Sequence, residues 1–123
     1  MAKVLILDSH SSFRELLKEE FLSDGYQVEA IGEVESLEEK IQTIEPDICL
    51  FDPYLDGRYW WGIPENIKQM NPHLPVLIFT ACDEPRRDPR LSQAEGMIMK
   101  SVNFENLKKK VTEVLNWKLL ESR

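Results

Sequence analysis

The chain has 123 residues, 42% of them hydrophobic and 30% charged, the balance of an ordinary globular protein and neither a disordered nor a fibrous one. A chain of this length can bury roughly two thirds of its unfolded surface in one domain without help from metals or disulfides. Fifteen basic against 22 acidic residues give a formal net charge of −7, which opposes attraction to a phosphate backbone and argues against direct nucleic-acid binding.

Residues 3–7 (Lys-Val-Leu-Ile-Leu) form a short apolar run that ends at Asp8. It is too short for a signal peptide's apolar region or a membrane span, and it reads as a strand covered on both faces. No membrane association is expected. Cys49 and Cys82 each fall where a strand or a loop explains them without a bridge, so both are expected reduced, in cytoplasm. Phe13, Leu16, Leu17 and Phe21 then share one face of a first helix. Residues 26–30 alternate as a half-exposed edge strand does. Val34, Leu37, Ile41 and Ile44 recur at helical spacing, with Glu33, Glu35, Glu38 and Glu39 turned to water.

Residues 47–51 (Asp-Ile-Cys-Leu-Phe) and 75–79 (Pro-Val-Leu-Ile-Phe) are again buried-strand runs, and they end at Asp52 and Thr80. Between them, Arg58-Tyr59-Trp60-Trp61 reads as a loop, and Pro64 suits the first turn of a short third helix. Pro85 and Pro89 leave little room for a regular fourth helix, which is expected short or displaced. Residues 96–99 are a weaker strand, ending at Lys100. Phe104, Leu107, Val111, Val114 and Leu115 line a long last helix that Asn103 can cap. Lys108-Lys109-Lys110 on that helix reads as a solvated face.

Strands alternating with helices across short connections predict parallel pairing through right-handed crossovers. The expected fold is α/β: a flavodoxin-like, doubly wound, five-stranded parallel sheet in the order 2-1-3-4-5, with helices on both faces. Residues 1–123 are expected to form one domain with no output domain. In such sheets ligands sit beyond the carboxyl ends of the strands. Four strands end there in Asp8, Asp52, Thr80 and Lys100. Two facing carboxylates repel and need a cation; a lysine can supply part of that charge and a hard divalent ion the rest. Magnesium suits carboxylates and phosphate. With it, Asp52 can attack a phosphoryl group while Lys100 takes up charge and the Thr80 hydroxyl bonds the transferred group.

From Lys3 to about Leu120 the sequence resembles the receiver domain of two-component response regulators. Val4-Leu5-Ile6-Leu7-Asp8 followed by Phe13-Arg14-Glu15-Leu16-Leu17 is similar to that family's first strand, acidic pocket and first helix. Pro46-Asp47-Ile48-Cys49-Leu50-Phe51-Asp52 resembles the segment ending in the phospho-accepting aspartate. Pro75-Val76-Leu77-Ile78-Phe79-Thr80-Ala81 looks like the segment with the switch threonine, and Lys100 falls at the family's lysine. The resemblance implies phosphorylation at Asp52 by a histidine kinase or phosphotransfer protein. It also implies magnesium at Asp8, Asp52 and Tyr54, and a phosphoryl group held by Thr80 and Lys100. The module is read as a signalling protein and not an enzyme.

The sequence departs from the family at several modulating positions. Ser9 replaces a second acidic residue, so magnesium binding is expected weak. His10 reads as a solvated loop residue, since histidine suits softer metals. Met97 stands where a ring usually swings between two positions. Ser101 replaces a proline whose peptide bond is normally cis, so a trans bond is expected. Tyr54 and Cys82 lie two residues beyond Asp52 and Thr80, positions that govern hydrolysis of the acyl phosphate, and neither obviously helps an attacking water. A long-lived phosphoryl group is expected. Of Tyr59, Trp60 and Trp61, one indole is expected to pack inward and at least one ring to stay near the surface. Trp117 and Leu120 point away from the core stripe of the last helix. These five residues are candidate contacts for a partner or a homodimer.

Two functions compete on these residues. One is a phosphoryl-accepting receiver. The other is a pseudo-receiver that binds proteins without phosphorylation, favoured by Ser9, Met97 and Ser101. An enzyme acting on a phosphorylated substrate would need a pocket larger than the short loops can build. No Gly-rich phosphate loop or nucleophile elbow occurs in the sequence, so nucleotide-binding and hydrolase readings lack support.

Overall fold

The computed structural model describes residues 2–81, 88–101 and 103–121, excepting the side chains of residues 120 and 121. Cys82, most of the segment expected to replace a fourth helix, and the Leu120 side chain therefore lie outside the described residues. In chain order the elements are β1 (Lys3–Leu7), α1 (Ser11–Ser23), β2 (Gln27–Ile31), α2 (Leu37–Ile44), β3 (Ile48–Phe51), β4 (Tyr54–Leu55), β5 (Arg58–Tyr59), α3 (Ile63–Met70), β6 (Val76–Thr80), β7 (Gly96–Met99) and α4 (Glu105–Glu121).

The main sheet has five strands in the order β2-β1-β3-β6-β7, every pair parallel. Counting main-sheet strands alone, this is the expected 2-1-3-4-5 topology. Alternation along each strand feeds two cores. Leu5, Leu7, Cys49, Phe51, Val76 and Ile78 meet Leu37 and Ile41 of α2 and Ile63 and Ile67 of α3. On the other face Val4, Ile6, Ile48, Leu50, Leu77 and Phe79 meet Leu17 and Phe21 of α1 and Leu107, Val111 and Val114 of α4. The unbroken apolar runs of β1, β3 and β6 thus reflect cover on both sides.

Local chemistry sets the helix limits. Pro64 sits in the first turn of α3, where its missing N–H costs nothing. Asn103 Oδ1 accepts the N–H of Glu105 at 2.9 Å, as a cap should. The apolar run at Val34 begins with a short 3-10 turn, Val34–Ser36, before α2. A second such turn, Pro89–Leu91, is the helical element described between β6 and β7.

Four expectations are corrected. The strands begin one residue later than read at Gln27, Ile48 and Val76, so that Thr80 ends β6 and does not follow it. Leu16, read as a core residue, is exposed, because α1 buries the narrower stripe of Leu17 and Phe21. Lys108 is no idle solvated cation: it bridges Glu20 (2.9 Å) and Asp24 (3.0 Å), tying α4 to the end of α1. The segment after Asp52 is a hairpin. β4 and β5 pair antiparallel, Tyr54 opposite Tyr59, across Asp56 (φ 53°) and Gly57 (φ 83°). Two successive positive φ values mark the two-residue turn that matches strand twist, for which Asp-Gly is a preferred pair.

Candidate functional site

The site lies where β1, β3, β6 and β7 end together. Backbone bonds carry the ladder one step past the strands: Asp8 N–H donates to Ile31 O (3.1 Å), Asp52 N–H to Leu7 O (3.0 Å) and Lys100 N–H to Thr80 O (2.8 Å). Each reactive side chain therefore leaves a backbone that is already pinned. Among the described residues the buried polar or charged side chains are Asp8 (2% exposed), Asp52 (4%) and Thr80 (1%). Burying charge is costly unless it is paired, so the arrangement calls for a counter-ion.

Lys100 supplies it. Its Nζ lies 2.7 Å from Asp8 Oδ2 and 2.7 Å from Asp52 Oδ2, and it also faces the Phe13 ring at 4.5 Å. One ammonium between two carboxylates leaves a single net negative charge. The other carboxylate oxygens are held by backbone: Asp52 Oδ1 accepts the Tyr54 N–H at 3.0 Å, and Asp8 Oδ1 accepts the His10 N–H at 2.9 Å. Arg14 Nη1 donates to the Asp8 carbonyl at 2.7 Å. Gly32 makes room for it, since a Cβ there would come within 2.5 Å of Arg14 Nη1.

The four strand-end residues thus converge as expected. Met97 is partly buried against the α2–α3 core. The Lys100–Ser101 bond is trans, as every peptide bond among the described residues is. Ser9 is half-buried beside Asp8. His10 is exposed, as expected of a loop residue, yet its ring is not idle: Nδ1 stands 3.4 Å from Asp8 Oδ1. Ligand atoms of Asp8, His10 and Asp52 lie within 4.8 Å of one another, a donor set that can hold a divalent cation.

The hairpin builds a ring stack beside Asp52. Tyr54 meets Tyr59 edge-on at 5.1 Å, and Tyr59 lies flat on Trp61 at 4.5 Å. The Arg90 guanidinium lies over the Trp61 ring, 5.4 Å from its centre. Trp60 is anchored separately, its Nε1–H donating to Leu55 O at 3.2 Å under the Arg58 guanidinium at 4.0 Å. Both indoles pack partly buried against the same core. The ring left most open there is Tyr54, not a tryptophan. The hairpin's strands are two residues long, too short for a strand pattern in the sequence, and its one local signal is Asp56-Gly57. At the far end of α4, Trp117 is exposed with Lys110 Nζ 4.7 Å from its ring.

The family model of the response regulator receiver domain matches residues 4–112. The chain is 27% identical to the sensory transduction protein BceR of Halalkalibacterium halodurans, over 91% of this chain and 48% of that protein; it spans about half the length of the curated relatives it matches. Among solved structures it superposes on the response regulator TrrA of Thermotoga maritima in complex with Mg2+-BeF, with TM-score 0.87 and 27% identity, over 93% of this chain and 99% of that one. It also matches a chain in the complex of histidine kinase ThkA with TrrA, with TM-score 0.85 and 28% identity, over 94% and 99% of the two chains.

Proposed function

Because the chain belongs to the response regulator receiver domain family, we propose that it accepts a phosphoryl group on Asp52 from a histidine kinase or phosphotransfer protein and thereby changes its affinity for a protein partner. The observation that carries this reading is Lys100 Nζ, 2.7 Å from both Asp8 Oδ2 and Asp52 Oδ2 at the open end of the sheet. The pair keeps Asp52 oriented while leaving its carboxylate at the rim of the strands.

In the transfer, an Asp52 oxygen bonds to phosphorus as the bond from phosphorus to the donor's imidazole nitrogen breaks. That nitrogen keeps the electron pair. Lys100 would turn toward the new phosphoryl oxygens, and the hydroxyl of Thr80, the last residue of the adjacent strand β6, would donate to one of them. Magnesium, when bound, would neutralise charge on those oxygens; Asp8 and Asp52 would hold it, with Tyr54, whose N–H donates to Asp52 Oδ1, beside them. The tandem similarity to a Mg2+-BeF complex and to a kinase-bound regulator supports both parts of the reading. One receiver domain over residues 1–123 is part of the same proposal.

Intact mass after incubation with magnesium and a small-molecule phosphodonor tests it. One added phosphoryl group, absent from Asp52→Asn, is expected; its absence from the unsubstituted protein overturns the reading. A second reading, a pseudo-receiver that binds partners without phosphorylation, draws on Ser9 beside Asp8, where a carboxylate would strengthen magnesium binding. It predicts no uptake and unchanged partner binding in Asp52→Asn.

A further inference from the structure

We infer that the cation site of this chain uses His10 as a ligand and so prefers an imidazole-accepting divalent ion, of the zinc, nickel and cobalt class, to magnesium. The inference rests on the reading of Asp8 and Asp52 as a cation site and concerns which ion that site takes.

Three features of His10 carry it. It precedes α1 as the cap residue, yet its side chain makes no capping hydrogen bond, so the imidazole is not spent on the helix. Its backbone N–H holds Asp8 Oδ1 at 2.9 Å and its Nδ1 lies 3.4 Å from the same oxygen. Ring and carboxylate are thus kept on one side of the site. Its side chain is 58% exposed, so the ring can turn onto an ion without breaking core packing. With Asp52 the set is two carboxylates and one imidazole.

Chemistry then decides the ion. A magnesium site gains from hard oxygen donors, and Ser9 contributes no carboxylate here. Exchanging an oxygen for a nitrogen donor moves the preference toward later first-row divalent ions, which imidazole suits. The loss of one charge at position 9 and the presence of one imidazole at position 10 act in the same direction.

Zinc and magnesium titrations of the full chain, without phosphodonor and read by tryptophan fluorescence or calorimetry, test the inference. Tighter binding of zinc than magnesium is expected. His10→Asn places a residue favoured at helix caps there and should weaken zinc at least about tenfold, with magnesium held within about twofold. Cobalt loading gives a second readout: paramagnetically shifted imidazole protons, present in the unsubstituted protein and lost in His10→Asn. The chain has two histidines, His10 and His73, so loss of the signal in His10→Asn assigns it to His10. Equal zinc affinity in the two proteins, parallel loss of both ions, a shifted imidazole that survives the substitution, or no binding of either ion each overturns it. Uptake of phosphate with magnesium alongside unchanged zinc binding would sink this inference and leave the proposed function standing. His10-dependent zinc binding without any uptake would do the reverse.

Discussion

At the carboxyl ends of β1 and β3 the chain is covered on both faces of the sheet, whereas β7, at the edge of the same sheet, keeps all four of its residues partly exposed. The difference shows which parts of the site are fixed and which can adapt. Asp8 and Asp52 extend from strands whose neighbours on both sides hold their register. Lys100 extends from a strand with one neighbour, β6. Its ammonium is the link between the two regions, since it reaches from the edge strand to both central carboxylates. A charge change at Asp52 is therefore felt first by a residue whose strand is held from one side.

That contrast can be broken from either side. The largest expected effect is in the centre: Phe51→Ala, at a fully buried ring, should cost about 4 kcal/mol in urea unfolding, while Met97→Leu on β7 should cost under about 1.5 kcal/mol. Equal losses would mean that β7 is as tightly built as β3. Next comes the link itself. Lys100→Met leaves two buried carboxylates without their counter-ion and should cost about 3 kcal/mol, more than Asp52→Asn, which removes one of the like charges. Added divalent cation should restore part of the loss. A Lys100→Met protein as stable as its parent would show that the ammonium does not hold the site together.

A smaller effect is expected at the hairpin. Gly57 has open space around the position of a Cβ, so Gly57→Ala is opposed by backbone conformation alone, at φ 83°, and should cost about 1 kcal/mol. A shift in tryptophan emission should accompany it, because Tyr59, Trp60 and Trp61 follow the turn. No change in either would mean that the hairpin turn is not what orders the rings. The smallest effect is chemical. Burial pushes the Cys49 thiol from its ordinary 9.0 up to about 12, so the folded chain keeps the neutral thiol where the unfolded chain would ionise. Stability from this group is intact below pH 9 and is lost as pH rises toward the folded value. Peptide mapping after iodoacetamide treatment at pH 8 should find Cys49 unmodified in the native protein and alkylated in urea; rapid native alkylation would place β3 nearer the surface than the fold has it.

Much of the site was legible because it is written at strand ends. An unbroken apolar run that stops at a carboxylate, a hydroxyl or an ammonium gives both the strand and the residue at its mouth, and parallel order brings the mouths together. Asp8, Asp52, Thr80 and Lys100 were all found this way. Residues whose role depends on side-chain direction were not. His10 and Ser9 are adjacent, and nothing in the sequence says that the imidazole turns back toward Asp8. Leu16 and Leu17 are equally apolar, and only the packing of α1 against β2 and α4 decides that Leu17 is the one buried. The reach of Lys108 to Glu20 and Asp24 spans more than eighty positions and has no local signal. Trp60 and Trp61 could not be told apart as a buried and an exposed ring because the hairpin brings both onto the core.

The amino-acid sequence by itself determined the order of the main-sheet strands and of the helices packed on them, the two-sided cover of the central strands and the four groups that meet at their ends, since periodicity and strand-ending residues are local properties. The tertiary structure alone decided that one ammonium is shared between two carboxylates, that an exposed histidine stands beside them, and that a ring stack flanks Asp52. Those depend on distances between segments far apart in the chain, which are fixed when the sheet closes its register and the helices settle on its faces.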